Sequence, residues 1–293
     1  MNIVLTVLEI VSPVFLLAAI GFTWVKVGFE YRIQFVTRLA MTLAVPALIF
    51  GALMKSEVDL VALGQLTMAS VLAYGGIGLV GGVLLAVLRL DRRTYLAPFM
   101  FGNTGNLGLP LALFAFGQAG LERAVVVLAV SSILSFTLGI WLVAGRGSFL
   151  KILKEPIIGA TLLGALFLWM GWETPTFLTN TIDLVGQMAI PLMLITLGVA
   201  VARLTPGRVG AAIGLSVVKL LVCAAIGWGV GLFFQLDEIS FGVLVLQIST
   251  PVAVTAYLLA EKYGADAEAV AGFVVVSTLT SVAGLPLLLA LLV

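Results

Sequence analysis

Apolar residues fall in long runs along this chain, separated by short polar clusters. Ten runs of about 20 residues stand out, at roughly 3–25, 34–54, 62–88, 94–117, 122–144, 156–172, 177–202, 208–234, 239–260 and 269–292. A helix of that length spans the hydrocarbon core of a bilayer, so the pattern predicts ten transmembrane helices with short connections. The longest connection, 146–155, alternates apolar and basic residues and reads as an interfacial segment. Pro156 then suits the first turn of the next helix. The chain thus divides into residues 1–145, the linker 146–155 and residues 156–293.

The fourth run is interrupted by Phe101-Gly102-Asn103-Thr104-Gly105-Asn106-Leu107-Gly108-Leu109-Pro110. Its three glycines, two asparagines and proline cannot form a stable uninterrupted helix. In hydrocarbon the freed backbone groups must be satisfied again, which places such a break in a protein-lined or watery cavity. A kink used only for packing is the plainer alternative. The clustering of polar side chains at the break favours the cavity. The ninth run carries Ser249-Thr250-Pro251, where a hydroxyl can cap a helix and proline can take its first position.

Internal repetition links the two breaks. Val45-Pro46-Ala47-Leu48 resembles Ile190-Pro191-Leu192-Met193, and Leu109-Pro110-Leu111-Ala112 resembles Thr250-Pro251-Val252-Ala253. Ser131-Ser132-Ile133-Leu134-Ser135 resembles Ser277-Thr278-Leu279-Thr280-Ser281. The three offsets lie between about 141 and 146 residues, half the chain. Five spans per repeat is an odd number, so the copies are inverted, and inverted repeats with interrupted segments at matching places point to a secondary transporter.

Composition agrees with the pattern: 62% of residues are hydrophobic, 10% are charged, and the mean hydropathy is +1.24. A net charge of +1 provides no basic surface for nucleic acid. The single cysteine, Cys223, excludes an internal disulfide, and the absence of histidine removes histidine-based triads and zinc motifs. No Lys or Arg precedes Lys26, so the first run reads as a span and not a signal peptide. Lys26, Arg32, Arg38, Arg89, Arg92, Arg93, Arg146, Lys151, Lys154, Arg203, Arg208 and Lys262 share one face, and only Lys55 and Arg123 the other. That asymmetry predicts both termini outside the cytoplasm.

Both breaks fall near the bilayer midplane, so two half-helix N-termini would face each other there, with free N–H groups and partial positive charge suited to an anion. Asn103, Asn106, Gln247, Ser249 and Thr250 would add neutral hydrogen-bonding groups, and Pro110 and Pro251 would start the second half-helices. Ser249 and Thr250 as plain caps are an equal alternative. Lys219 lies eleven residues past Arg208, about 16 Å along a helix and near the centre of a core roughly 30 Å thick. A charge there costs about 2.5–3.5 kcal/mol and points to function. It can serve as substrate counter-charge, as a proton-linked switch or in place of a coupling cation; the structural alternative is an ion pair with Glu9 or Asp183. Ser131, Ser132, Ser135, Ser277, Thr278 and Ser281 recur at helical intervals and read as close helix packing before pathway lining. No carboxylate pair, phosphate loop or metal-ligand cluster appears, so no cofactor is expected. Coupling to protons or sodium stays open.

Two segments carry a family resemblance: Asn103-Thr104-Gly105-Asn106-Leu107-Gly108-Leu109-Pro110, and Ser249-Thr250-Pro251-Val252-Ala253-Val254-Thr255-Ala256-Tyr257 followed by Ala260-Glu261-Lys262-Tyr263-Gly264. In these the sequence resembles the auxin efflux carrier family, in its bacterial form without the long loop and with a bile, arsenite and auxin transporter-like fold. The resemblance implies an all-α polytopic membrane protein. Its ten transmembrane helices would form two inverted five-helix repeats, with broken spans 4 and 9 crossing near the midplane. Scaffold and transport domains would each draw on both repeats and move like an elevator. Asn106, Pro110 and Pro251 match the family's crossover positions. Family substrates are organic anions, auxin in plants and malonate or similar carboxylates in bacteria. The acid–base pair of plant members has no match here beyond Gln65.

The expectation is therefore a carrier, not an enzyme, that moves a small organic anion across the cell membrane; a homodimer is compatible with it. The alternative is a membrane sensor that binds ligand in a transporter-like core and signals through a separate partner. No soluble output domain follows the last span, which favours the carrier.

Overall fold

Helix fills the apolar runs because a chain in hydrocarbon must satisfy its backbone polar groups within each segment. The computed structural model describes residues 3–56, 58–144, 155–204 and 209–292. The expected interfacial linker lies outside them except for Glu155, and so do Arg146, Lys151, Lys154 and Arg208 of the charge asymmetry.

The elements run α1 (Ile3–Lys26), α2 (Ile33–Leu39), α3 (Val45–Met54), α4 (Leu60–Val87), α5 (Arg92–Met100), α6 (Leu109–Leu134) and α7 (Ile140–Ala144). They continue with α8 (Pro156–Met170), α9 (Thr176–Gln187), α10 (Ala189–Arg203), α11 (Val209–Phe233), α12 (Glu238–Ile248), α13 (Val254–Tyr263) and α14 (Ala267–Leu292). Wider π turns join α2 to α3 at Ala40–Ala44, α6 to α7 at Ser135–Gly139, and lead into α6 at Thr104–Gly108. Two of them precede a proline, Pro46 and Pro110, whose ring has no N–H to give and crowds the carbonyl one turn back. Pro156 opens α8, and left-handed Gly171 and Gly264 close α8 and α13.

Seven helical stretches among the described residues are long and apolar enough to cross a membrane. The sequence predicts ten spans, and the difference lies at the two breaks and at the short sixth run. The stretch Thr104–Ala144 counts as one, although Gly117 turns the chain inside it at φ 65°, ψ −157°. Pro156–Met170 and Glu238–Ile248 are too short alone. Leu79, Leu287 and Leu291, each 71% exposed, belong to an apolar exterior suited to lipid.

Two buried clusters hold the helices together. The larger joins α3–α6 with α11–α14, and the smaller joins α1 with α6, α10 and α14. Helix α1 lies flush on α10 through glycines. A Cβ at Gly198 would fall 1.8 Å from the Ala18 carbonyl oxygen, and one at Gly21 would fall 2.0 Å from that of Ile195. Backbone approach of this kind supplies the van der Waals contact that holds helices in lipid, where burial from water does not act.

Outside the spans, Asp237 caps α12 by accepting from the Ser240 N–H at 3.0 Å and pairs with Arg123 at 3.4 Å. Burial alone would raise its pKa, but the Ser240 hydroxyl and N–H and the Arg123 guanidinium outweigh burial and hold it below the usual carboxylate range. A depressed folded pKa means that this stabilisation is present above the unfolded pKa and is lost as pH falls through the folded one. Asp237→Ala is expected to cost about 1 kcal/mol at neutral pH, the worth of a cap, and less in acid. Thermal unfolding of both forms at neutral pH and in acid checks this.

Candidate functional site

Helix α5 stops because Phe101 turns extended, at φ −102°, ψ 115°. Gly102 then pairs antiparallel with Val252 of the second break, and the Asn103 N–H donates to the Pro251 carbonyl at 2.7 Å. The Val252 N–H donates in turn to the Ser277 hydroxyl of α14 at 3.0 Å. The first break thus finds its acceptor in the other half of the chain, while the N–H of Val252 in the second break is satisfied within its own half by Ser277. Only glycine fits at position 102, because a Cβ would lie 2.3 Å from the Thr250 hydroxyl oxygen and 2.8 Å from the Thr250 carbonyl oxygen. Gly108 likewise presses on the Gln247 side chain, whose oxygen would lie 2.1 Å from a Cβ.

A cavity of about 150 Å³ opens beside this crossing. The π turn from Thr104 and the start of α13 at Val254 both border it, so both second halves bring their N-termini to it. Asn103 is the N-cap of its turn, with its side-chain oxygen accepting from the Asn106 N–H at 3.2 Å. That bond commits the amide oxygen and leaves Asn103 Nδ2 as a buried donor without a partner among the described residues; Asn106 Oδ1 is likewise buried and unpartnered among them. No side chain caps α13. Ser131, Ser132 and Ser135 line the same cavity, while Met41 of the π turn Ala40–Ala44 closes it together with Val45 of α3, Ile157 of α8 and Met193 of α10.

The structure divides the eight residues singled out from sequence. Asn103 and Asn106 line the cavity. Lys219, Ser249, Thr250 and Pro251 surround a separate void of about 10 Å³. Pro110, at the start of α6, and Gln247, fully buried against Gly108, border neither.

Three readings from the sequence change. Ser249, Thr250 and Pro251 do not start the second half of span 9. The Thr250 hydroxyl donates back to the Gln247 carbonyl at 2.7 Å, Pro251 accepts from Asn103, and α13 begins at Val254. Pairing of Val252 with Gly102 holds the chain extended just after Pro251, which moves the helix start past the proline. Lys219 pairs with neither Glu9 nor Asp183: Asp183 pairs with Lys55, and Glu9 is exposed. The serines of α6 and its π turn line the cavity, and Ser277 serves the crossing. Their spacing marks a helix face, and a face made of small hydroxyls looks alike whether a helix or a cavity meets it.

A multi-pass membrane protein whose broken helices interlock is the class this architecture defines. A family model described as "Membrane transport protein" matches residues 6–152 and 146–289, and the chain belongs to that auxin efflux carrier-like family of membrane transporters. It is 29% identical to an "Uncharacterized transporter" of Methanothermobacter thermautotrophicus, over 95% of this chain and 96% of that one. It is 27% identical to a protein of Rhizobium meliloti named "Putative malonate transporter", over 82% of this chain and 81% of that one.

Proposed function

We propose that the protein is a secondary carrier for a small organic anion of the malonate type, and not an enzyme. In this reading the chain spans the cell membrane ten times as two inverted five-helix repeats, with both termini outside the cytoplasm. Span 4 comprises α5 and the first part of α6, and span 9 comprises α12 and α13. The single observation that carries the reading is the buried Nδ2 of Asn103, without a partner among the described residues, at a cavity bordered by two half-helix N-termini. Each N-terminus contributes about +0.5 of a charge, so together they balance one carboxylate, with Asn103 and Asn106 orienting it. The cavity lies between the π turn Ala40–Ala44, α3, α8 and α10 on one side and the crossing helices on the other. Sliding of one group against the other, elevator fashion, would carry an ion held at the crossing from one face to the other. The name of the Rhizobium meliloti relative makes malonate the first probe.

In proteoliposomes, saturable malonate uptake is expected, and Asn106→Ala and Asn103→Ala should each lower uptake at subsaturating malonate about tenfold. That is the loss of one hydrogen bond to a charged ligand, about 1.4 kcal/mol. Absence of saturable flux or binding across a panel of small carboxylates, with Asn106→Ala indistinguishable from the parent, would sink the reading.

A further inference from the structure

Lys219 is 2% exposed in the middle of α11, yet none of the ion pairs among the described residues includes it. Its ammonium donates to the Phe99 carbonyl at 3.0 Å and approaches the Cys223 sulfur at 3.8 Å. Phe99 belongs to the last turn of α5, where carbonyls have no partner further along the helix. The lysine also shares its small void with Ser249, Thr250 and Pro251, which follow the C-terminus of α12. It therefore stands where the negative ends of two half-helices meet. At about −0.5 each they sum to about −1, the charge that one ammonium offsets.

The rest of the lining is equally specific. Ser216, Ser249, Thr250, Ser277 and Ser281 bring hydroxyl oxygens to a space of about 10 Å³, the size of one water or one dehydrated alkali-metal ion. Ser249 Oγ is buried there without a hydrogen-bond partner among the described residues, and the residue is 3% exposed. Neutral oxygens around a centre of negative potential repel an anion and suit a hard monovalent cation. The larger cavity has the opposite sign, because helix N-termini border it.

We propose that the Lys219 ammonium is a tethered monovalent cation. It stands beside an ion-sized void behind the crossing and supplies the single positive charge that an alkali-metal ion would bring there, so no free sodium or lithium is required. Removing the ammonium frees the carbonyl of Phe99 and opens the adjoining void, where Ser249 Oγ has no hydrogen-bond partner among the described residues, to an ion from solution. The consequence for coupling, anion transport without a sodium gradient, rests on the carrier reading above; the claim about the site does not.

The test uses the full-length protein in detergent, with thermal unfolding followed in sodium, lithium or choline chloride at equal ionic strength. The parent protein is expected to unfold at one temperature in all three salts. Lys219→Ala should unfold earlier in choline and regain roughly 5 °C, saturably, as sodium or lithium replaces it. Lys219→Ser adds one more hydroxyl and should respond at lower sodium; Ser249→Ala on either background should shift the response to higher sodium. Saturable stabilisation of the parent by sodium or lithium overturns the proposal, as does indifference of both lysine variants to the cation. Failure of both variants to fold in any of the salts makes the ammonium a structural charge only, and the proposal falls. Malonate uptake is the second arm: the parent should transport equally in sodium and choline, and Lys219→Ser only in sodium. An inactive parent with sodium-stabilised variants would defeat the carrier reading while leaving the site in place.

Discussion

Alanine at Gly102 is expected to abolish transport and to lower stability by at least about 3 kcal/mol, the upper part of the range for overpacking. The new methyl group meets two atoms of Thr250, the hydroxyl oxygen at 2.3 Å and the backbone carbonyl oxygen at 2.8 Å. A rotation of the threonine side chain relieves only the first contact, and it also breaks the bond from that hydroxyl to the Gln247 carbonyl. The double variant Gly102→Ala, Thr250→Ala should therefore remain inactive, because the carbonyl still blocks the methyl group. To avoid the clash the two breaks must separate, and the Asn103 N–H then loses Pro251. Malonate uptake and thermal unfolding of both variants measure this; recovery of either in the double variant would show that the side chain alone sets the constraint.

Alanine at Gly198 should be as damaging, for a reason unconnected with the cavity. Its methyl group would lie 1.8 Å from the Ala18 carbonyl oxygen and 2.8 Å from the Phe22 nitrogen, all main-chain atoms that no rotamer change moves. Helices α1 and α10 would have to part by roughly 1.5 Å, enough to forfeit most of the dispersion contact along the seam. A loss of about 3 kcal/mol or more is expected. Gly82→Ala in α4 is the control, since nothing lies within 4 Å of the new methyl group there. Alanine's better helix propensity should leave that variant at or slightly above the parent's stability. Unfolding temperatures of the two variants in detergent, compared with the parent, decide the matter.

The two glycines show where sequence reading stops. Both Gly198 and Gly82 stand in apolar helical runs, and nothing local distinguishes them; only the neighbouring helix makes one indispensable. The interruption at Phe101–Pro110 was legible because its residues oppose helix by intrinsic chemistry, and the matching place at Ser249–Pro251 because proline cannot continue one. Where the second half-helix begins was not legible. Local propensity places it at Pro251, but pairing of Val252 with Gly102 holds the chain extended until Val254. Lys219 stood out through its cost in hydrocarbon. Which way it points depends on the rotation of α11, and a helix polar at so few positions does not announce its own orientation. The asparagines were found as a pair, while the commitment of Asn103 Oδ1 to a cap, which leaves its Nδ2 available, emerges only from coordinates.

The pairing of Asn103 with Pro251 also bears on how the molecule is made. The amide at the first break is synthesised long before its acceptor, which belongs to the other half of the chain. While the early spans enter the bilayer, Gly102 and Asn103 have no native partner, and exposed backbone at that depth costs several kcal/mol per group. The early half must therefore either hold this segment at the aqueous boundary or shelter it within the insertion machinery until α12 and Pro251 arrive. Assembly should then be late and all-or-none. A chain arrested before residue 251 is expected to be readily cleaved near the first break, and the completed chain to resist cleavage there.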